Sequence, residues 1–344
     1  MKAQKNSPKV HISLVNWKRS KDTLECIDSL LKQRYSNIRI YIVDNGSGDD
    51  SIQNFIDYCE GKMVIQSPAK DIIRKTIGSN SIPKTYTIVK EENWTQDLFN
   101  SINSTIVILK NTKNYGFGYA HNQVMKFIAA QETAFSWILN NDTIVPNDAI
   151  ESLINKLIST KRSFATPLLV YYDEPEFLQC DGTAKLYPEF GFAKMNHKLT
   201  PLANIKGKDS FKDTPYTFIS GTALFIPSAF IREVGLFDEI FFMYAEDIDL
   251  SLRAKKLGWK PVVDENSFIF HKEGKSTAGR KHLFYEMYTR GNFILLQKHF
   301  SLFKILTAIP ASILHTVLMG RFNVKNIWFT IRGIQSAFTV WKNK

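Results

Sequence analysis

Four apolar runs, each ending abruptly in a polar tip, constrain this chain more than any other feature. Val10 to Val15 stops at Asn16-Trp17, and Ile38 to Val43 stops at Asp44-Asn45-Gly46-Ser47. Thr105 to Leu109 leads to Asn114-Tyr115-Gly116-Phe117-Gly118, and Phe135 to Leu139 runs straight into Asn140-Asn141-Asp142-Thr143. Short apolar runs bounded by turn residues are the pattern of strands buried on both faces. Helical patterns follow them. Leu24, Ile27, Leu30 and Leu31 recur at helical spacing, and Asp49-Asp50-Ser51 opens a helix running to about Cys59. Tyr119 to Ala130 reads as helix, and Pro146 with Asn147-Asp148 opens another through Ile158. Strand and helix in alternation predict an α/β fold with a parallel sheet flanked by helices. Residues 61–104, rich in Lys, Ser, Asn and Thr, read as an irregular insertion.

In open sheets of this kind ligands bind outside the carboxyl ends of the strands, so the four tips predict one pocket. Each tip alone fits an ordinary turn. Asp44 can accept hydrogen bonds from a base or a ribose. Gly116 and Gly118 allow close backbone approach, and the helix start after them offers N–H groups to a phosphate. Asp142 sits where a metal-bound diphosphate would lie, and Asn140 can add a carbonyl oxygen. Mg²⁺ and Mn²⁺ take oxygen ligands, often one or two carboxylates plus phosphate. Phe268-Ile269-Phe270-His271 is a short apolar strand with an imidazole at its tip, compatible with Mn²⁺ in a mixed site.

A second acidic segment lies about a hundred residues downstream. Phe241-Phe242-Met243-Tyr244-Ala245 is followed by Glu246, Asp247 and Asp249, and Leu250 to Leu257 reads as helix ended by Gly258. Acids in a first helical turn favour the macrodipole, as Lys255 and Lys256 do at the other end. Carboxylates against aromatic walls also lose hydration, which raises a pKa towards the range of a general base. The cluster alone fits either role.

Charge divides the chain unevenly. The formal net charge is +11, yet Lys272 to Lys344 holds twelve Lys/Arg against two acids, and the rest carries 32 against 31. A balanced body with a basic tail predicts a polyanionic partner. Leu302 to Gly320 is largely apolar but carries Lys304, Pro310 and His315, which makes it a poor spanning segment. Aromatic and basic residues interleave from Trp328 to Lys342, the pattern of a helix lying in a membrane interface or of a helical cap. Cys26, Cys59 and Cys180 have no CxxC spacing or even pairing, so a zinc knuckle or a disulfide framework is not indicated and a reducing compartment fits. Met1 to Lys9 has no apolar run behind it, so a secretory signal is not expected.

Taken together, these segments resemble a family 2 glycosyltransferase of the GT-A fold, in the rhamnosyltransferase-like branch. The matching pieces are Ile12 to Trp17, Val43 to Ser47, Asn114 to Asn122, Leu139 to Thr143, Ser220 to Ala223, Gly235 to Asp238, Phe242 to Leu250 and His271. They stand in the family's order over residues 8–295, and the set is far more specific than any one of them. The resemblance implies a GT-A, Rossmann-like nucleotide-binding sheet flanked by helices in residues 1–272, with a helical extension over 273–344. It implies inverting transfer from a nucleoside-diphosphate sugar, dTDP-rhamnose-like or a UDP-sugar, to a saccharide acceptor in cell-surface polysaccharide synthesis. Position by position, Asn16 and Asp44 would bind the nucleoside. Asn114, Gly118 and Asn122, with Asn140 and Asn141, would line the nucleotide pocket. Asp142 and His271 would hold Mn²⁺ or Mg²⁺, and Asp247 would deprotonate the acceptor. Glu246, Gly221 and Asp181 would bind sugar or acceptor. Charge and position suggest Arg280 and Lys281 as a diphosphate lid. The first Asp of the family's Asp-x-Asp is Asn140 here, which lowers negative charge at the metal.

The expected partners are the sugar nucleotide, a saccharide or lipid-linked saccharide, and an anionic membrane face, with the chain cytoplasmic and peripheral at the inner face. Two rivals are weaker. A sugar nucleotidyltransferase would carry a Gly-rich phosphate loop after the first strand, and Asn16-Trp17-Lys18-Arg19 has no glycine. A basic nucleic-acid-binding protein would not need Asp142, Asp247 and His271, since carboxylates at a groove repel phosphate.

Overall fold

The structure is a computed structural model that describes residues 7–272, 281–319 and 323–342. Strand β1 (Lys9–Asn16) leads into α1 (Ser20–Leu30), and β2 (Ile38–Asp44) into α2 (Ser51–Cys59). Then come α3 (Asp71–Ile77), β3 (Tyr86–Lys90), α4 (Gln96–Ser101), β4 (Ile106–Lys110) and α5 (Phe117–Ile128). The chain continues through β5 (Ala134–Leu139), β6 (Thr143–Ile144), α6 (Ala149–Ser159), β7 (Ser163–Tyr171), β8 (Leu178–Cys180), β9 (Thr183–Tyr187) and β10 (Phe192–Met195). It closes with β11 (Thr217–Ile219), β12 (Ala223–Pro227), α7 (Ser228–Val234), α8 (Glu246–Lys256), β13 (Lys260–His271), α9 (Lys281–His299), α10 (Leu302–Met319) and α11 (Val324–Lys342).

The large sheet runs β3-β4-β2-β1-β5-β12-β7-β13-β6, with β8 paired to β7, and β10-β9-β11 form a second, small sheet. Strands β1, β2, β4 and β5 are parallel, so the four polar tips of the sequence emerge at one edge. β13 is parallel to β7, while β12 runs antiparallel to both β5 and β7, which brings His271 to that same edge. The apolar runs bury both faces. Val10, Ile12 and Leu14 pack with α1 and α6 on one side, and Tyr41, Val43, Val107 and Leu109 pack with α5 on the other. Each such aliphatic side chain stabilises the fold by about 1.5–3 kcal/mol relative to exposure.

The stretch 61–104 is more regular than its composition predicts. β3 is the edge strand, parallel to β4, and α3 buries Ile73 and Ile77 among Leu168, Val170, Val263 and Phe270. An edge strand keeps one flank in water and tolerates polar residues, so β3 has no continuous apolar run to announce it. α8 is built as its ends predict. Gly258, at φ 80°, takes the left-handed position after the helix, and the amides of Gly258 and Trp259 donate to the Lys255 and Ala254 carbonyls. Its Ile248 and Leu252 join Phe218, Phe293, Leu296, Ile305 and Ala337 in one cluster, so α9, α10 and α11 share a core with α8 and the small sheet.

Candidate functional site

The nucleotide-side tips are cross-bonded. Asn16 Nδ2 donates to Asp44 Oδ1 at 2.8 Å and to Ser47 Oγ at 3.1 Å, while Asp44 Oδ2 accepts from the Ser47 amide at 3.2 Å. Thr23 Oγ1 donates to Asn16 Oδ1 (2.9 Å) and accepts from Asn141 Nδ2 (2.7 Å). A third tip joins through Asn45, whose Nδ2 donates to Asn114 Oδ1 (2.9 Å) and to the Gly116 carbonyl (3.1 Å). Asn45 is a hub that sequence reasoning passed over. Only its place beside Asp44 hinted at it.

The start of α5 is occupied from within. The Gly116 amide donates to Asn114 Oδ1 (2.9 Å) and the Phe117 amide to the Phe242 carbonyl (2.9 Å), so neither faces a phosphate as the sequence suggested. Gly116, at φ 92°, has room for no side chain, because a Cβ there would lie 2.3 Å from the Phe242 oxygen. Gly118 faces Phe237 and Glu246. Asn122 grips the Phe237 backbone from both sides, donating at 2.9 Å and accepting at 3.0 Å. These residues tie the third tip to the segment before α8.

Asp142 and His271 meet. Asp142 Oδ1 lies 3.1 Å from His271 Nε2, and the Lys272 amide donates to the Asp142 carbonyl (3.0 Å). The other ring nitrogen, Nδ1, lies 2.6 Å from Gln179 Oε1, a buried partner that fixes the imidazole plane. Burial pushes the Asp142 carboxyl up, but the His271 hydrogen bond and charge outweigh it and hold the group below its ordinary value. One carboxylate oxygen and one imidazole nitrogen at this spacing suit Mn²⁺ or Mg²⁺ completed by phosphate oxygens and water. Among the described residues no group of three or more His, Cys, Asp or Glu gathers for a metal. Beside the pair opens a cavity of about 500 Å³ lined by Lys18, Arg19, Lys21, Asp22, Tyr172 and Lys272. Lys272 is buried there between Asp22 and Glu25.

The second acidic tip is set by backbone strain. Tyr244 and Ala245 both adopt left-handed conformations, φ 67° and 72°, which non-glycine residues avoid. The turn swings Asp247 onto the loop before β12. Asp247 Oδ2 accepts from the Gly221 amide (2.8 Å) and Oδ1 from the Ile248 amide (2.8 Å). The neighbouring Thr222 carbonyl accepts from the Asn140 amide at 2.8 Å. Asp142 and Asp247 therefore share one edge of the sheet, connected through two short hydrogen bonds. Burial raises Glu246 well above its ordinary value and the Asp247 charge adds to this; Glu246 Oε2 has no hydrogen-bond partner among the described residues. Burial also raises Asp247, against the lowering effect of the Gly221 and Ile248 amides. Asp249 behaves differently. It is fully buried and pairs with Arg253 (2.8 Å), Lys298 (2.7 Å) and His299 (2.7 Å), so of the three acids it is the one that fits the structural reading.

α9 walls this tip, which sequence reasoning did not foresee. The Tyr244 ring lies 5.3 Å from Phe284 and 6.0 Å from Tyr288, and a Cβ on Gly291 would lie 2.5 Å from the Tyr244 oxygen. Asp181 precedes Gly182, whose carbonyl accepts from the Ser220 amide at 3.0 Å beside Gly221. It accepts from the Thr183 amide (2.9 Å) and lies 2.8 Å from His197 Nδ1, at a second cavity of about 400 Å³ that also holds Lys185 and Thr217. Of the lid pair, Arg280 lies outside the described residues and Lys281 is the first residue of α9.

With the geometry in hand, comparison with known proteins decides the family. The family model described as "Glycosyl transferase family group 2" matches residues 137–342, and "Glycosyl transferase family 2" matches residues 12–78. The chain belongs to glycosyltransferase family 2. This glycosyltransferase is 28% identical over 150 residues to the rhamnosyltransferase WbbL of Escherichia coli K12, covering 42% of this chain and 56% of that one. It is 36% identical over 66 residues to an N-acetylglucosaminyl-diphospho-decaprenol L-rhamnosyltransferase of Mycobacterium tuberculosis, covering 19% of this chain and 22% of that one. It thus spans from about a fifth to somewhat over half the length of these curated relatives. Among solved structures it is similar to GalNAc-T7 with UDP, GalNAc and Mn²⁺ (TM-score 0.59, 13% identity, 95% of this chain and 56% of that one). It is also similar to the mannosyltransferase PcManGT of Pyrobaculum calidifontis with GDP-Man and Mn²⁺ (TM-score 0.53, 11% identity, 99% and 89%). The fold of this glycosyltransferase is of the GT-A type.

Proposed function

We propose that this glycosyltransferase moves a sugar from a nucleoside diphosphate, a dTDP-rhamnose-like or UDP-sugar donor, to a hydroxyl of a saccharide acceptor, with inversion, in cell-surface polysaccharide synthesis. The observation that carries this reading is the pairing of two acidic tips on one sheet edge with opposite electrostatics. Asp142 with His271 favours an ionised carboxylate, whereas the Glu246–Asp247 pair favours proton uptake. The rhamnosyltransferase relatives support the donor sugar, and the name of the M. tuberculosis relative supports a lipid-linked acceptor. Sugar nucleotides and Mn²⁺ in both similar structures support the donor class and the cation.

In this mechanism Asp142 and His271 would hold a divalent cation, with Gln179 orienting the imidazole. Such an ion, when bound, supplies Lewis-acid stabilisation to the departing diphosphate. Lys18 and Lys21 border the cavity beside it and suit the diphosphate charge, while Arg19 and Lys272 there are paired with Asp22 and Glu25. Asp247 takes the acceptor proton. The acceptor oxygen then bonds to the anomeric carbon as the bond from that carbon to the diphosphate oxygen breaks, and the nucleoside diphosphate leaves with that electron pair. Glu246, raised by burial and by the Asp247 charge, takes up a proton more readily than an ordinary carboxyl, which favours a single negative charge on the pair. Residues 1–272 carry these groups, and α9, at the start of the extension, walls the acceptor side. A panel of sugar nucleotides screened by thermal shift with Mn²⁺ or Mg²⁺ tests the donor, because bound donor stabilises the fold by mass action. No shift with any donor at saturating cation would overturn the reading.

A further inference from the structure

The face of α10 that turns away from the protein is apolar along the helix's full length. The helix buries Ile305, Ala308, Ser312 and Thr316 against the small sheet and α11. Its exposed residues are Leu302, Phe303, Leu306, Pro310, Leu314 and Leu318, with no polar residue among them. Exposure runs from 57% at Leu306 to 71% at Phe303, too high for a face already covered by the fold. Recurring every four residues, they form one stripe opposite the buried face, about 27 Å long at 1.5 Å per residue. Contiguous exposed apolar surface of this kind marks an interaction site.

The neighbouring helix supplies the rest. Thr316 and Thr330 are hydrogen-bonded at 3.0 Å, which seats α11 beside α10. α11 exposes Val324, Trp328 and Ile331, with Lys325 and Arg332 next to them and the Arg332 guanidinium 4.7 Å from the Trp328 ring. After Glu286 the chain has eight Lys/Arg and no acid. No helix of the described residues is long and apolar enough to cross a membrane. A leucine stripe beside an exposed tryptophan and a cationic helix, whose Arg332 also meets Glu286 at 3.3 Å, is the chemistry of a helix lying in a lipid interface. A second copy of this chain would bring cations against cations.

We propose that the α10 stripe, flanked by Trp328, Lys325 and Arg332, is a docking surface for anionic lipid. The helix lies in the plane of the membrane with its leucines in the headgroup–acyl boundary. The surface is coupled to the acidic tip by packing. The β9–β10 turn sits on α10, where a Cβ at Gly191 would lie 2.6 Å from Ser312 Oγ, and β11, paired with β9, leads directly to Gly221 and its Asp247 bond. Docking would therefore present the site at a fixed height above the membrane.

The full chain is sedimented with vesicles of phosphatidylcholine alone or with about a third phosphatidylglycerol. Binding is expected to the anionic vesicles and to fall with salt. Leu306→Glu with Leu314→Glu should reduce partitioning at least tenfold, and Lys325→Glu with Arg332→Glu by about five-fold or more for each charge. The leucine variant should keep the wild-type melting temperature, since its altered side chains face solvent, whereas loss of the Arg332–Glu286 pair should lower that of the charge variant only slightly. Failure of the intact chain to bind, or equal binding by the double-leucine variant, would overturn the proposal. So would a stable dimer in lipid-free buffer that the leucine changes dissociate, since a second copy would then own the stripe. Neither readout uses a sugar nucleotide, so the result stands apart from the proposed transfer reaction.

Discussion

The two acidic tips of this protein both place carboxylates at the same sheet edge, yet their environments drive them apart. At the first, Asp142 is buried but faces His271, and the imidazole holds the carboxyl below its ordinary range. At the second, burial and a like charge raise Glu246 and burial raises Asp247, with only backbone amides opposing. Burial alone does not set a carboxylate's role; what it is buried against does. A carboxylate held low beside an imidazole suits a cation, and a buried pair with a raised affinity for protons suits general-base chemistry.

The sharpest way to break this contrast is Asp247→Asn. Turnover should fall by about 10²–10⁴, while donor affinity measured by calorimetry with Mn²⁺ should change less than about threefold; near-normal turnover would remove the base from the second tip. Asp249→Ala sharpens the distinction within that tip. Arg253 and Lys298 would be left without their buried carboxylate, a loss of about 3–5 kcal/mol seen in denaturant unfolding. The Asp249 carboxyl lies well below its ordinary value because His299, Arg253 and Lys298 outweigh the burial that would raise it. Its contribution is therefore present above the unfolded carboxylate pKa and lost as pH falls through the folded value. A stability profile flat through the acid range would contradict this.

At the first tip, Gln179→Leu should weaken Mn²⁺ binding by about 10–100-fold through loss of imidazole orientation, with little change in melting temperature without metal. Unchanged affinity would leave Gln179 a packing residue. The smallest expected effect lies in the pH profile. Because Asp247 must be ionised to accept a proton, the rate should rise with pH, with its acid limb above the ordinary carboxylate range. Glu246→Gln should leave that limb in place, because burial and not a Glu246 charge raises Asp247. A limb moved to lower pH would mean that Glu246 carries charge beside it.

Legibility in the sequence followed burial. Parallel strands buried on both faces must be apolar throughout, so β1, β2, β4 and β5 declare themselves, and their polar tips mark the ligand edge. β3 is as much a strand as they are, but as an edge strand it needs no apolar run and reads as loop. Asp142 and His271 stood out as an acid and an imidazole at strand tips, and Asp247 as an acid after an aromatic run, while their roles came from the family resemblance. Asn45, Gln179 and Tyr288 did not, since an amide or a phenol becomes part of a site only through what it touches.

Local pattern therefore dictated the strands, the helices and the sites where charge would be stranded, because solvent sorts side chains by periodicity whatever the topology. It could not dictate that the Asp247 carboxylate would dock on the Gly221 amide, that α9 would wall the tip, or that α10 would keep a leucine face outward. Those outcomes rest on left-handed turns at Tyr244 and Ala245 and on packing between segments far apart in the chain. The free energies involved belong to pairs of surfaces rather than to any stretch of sequence.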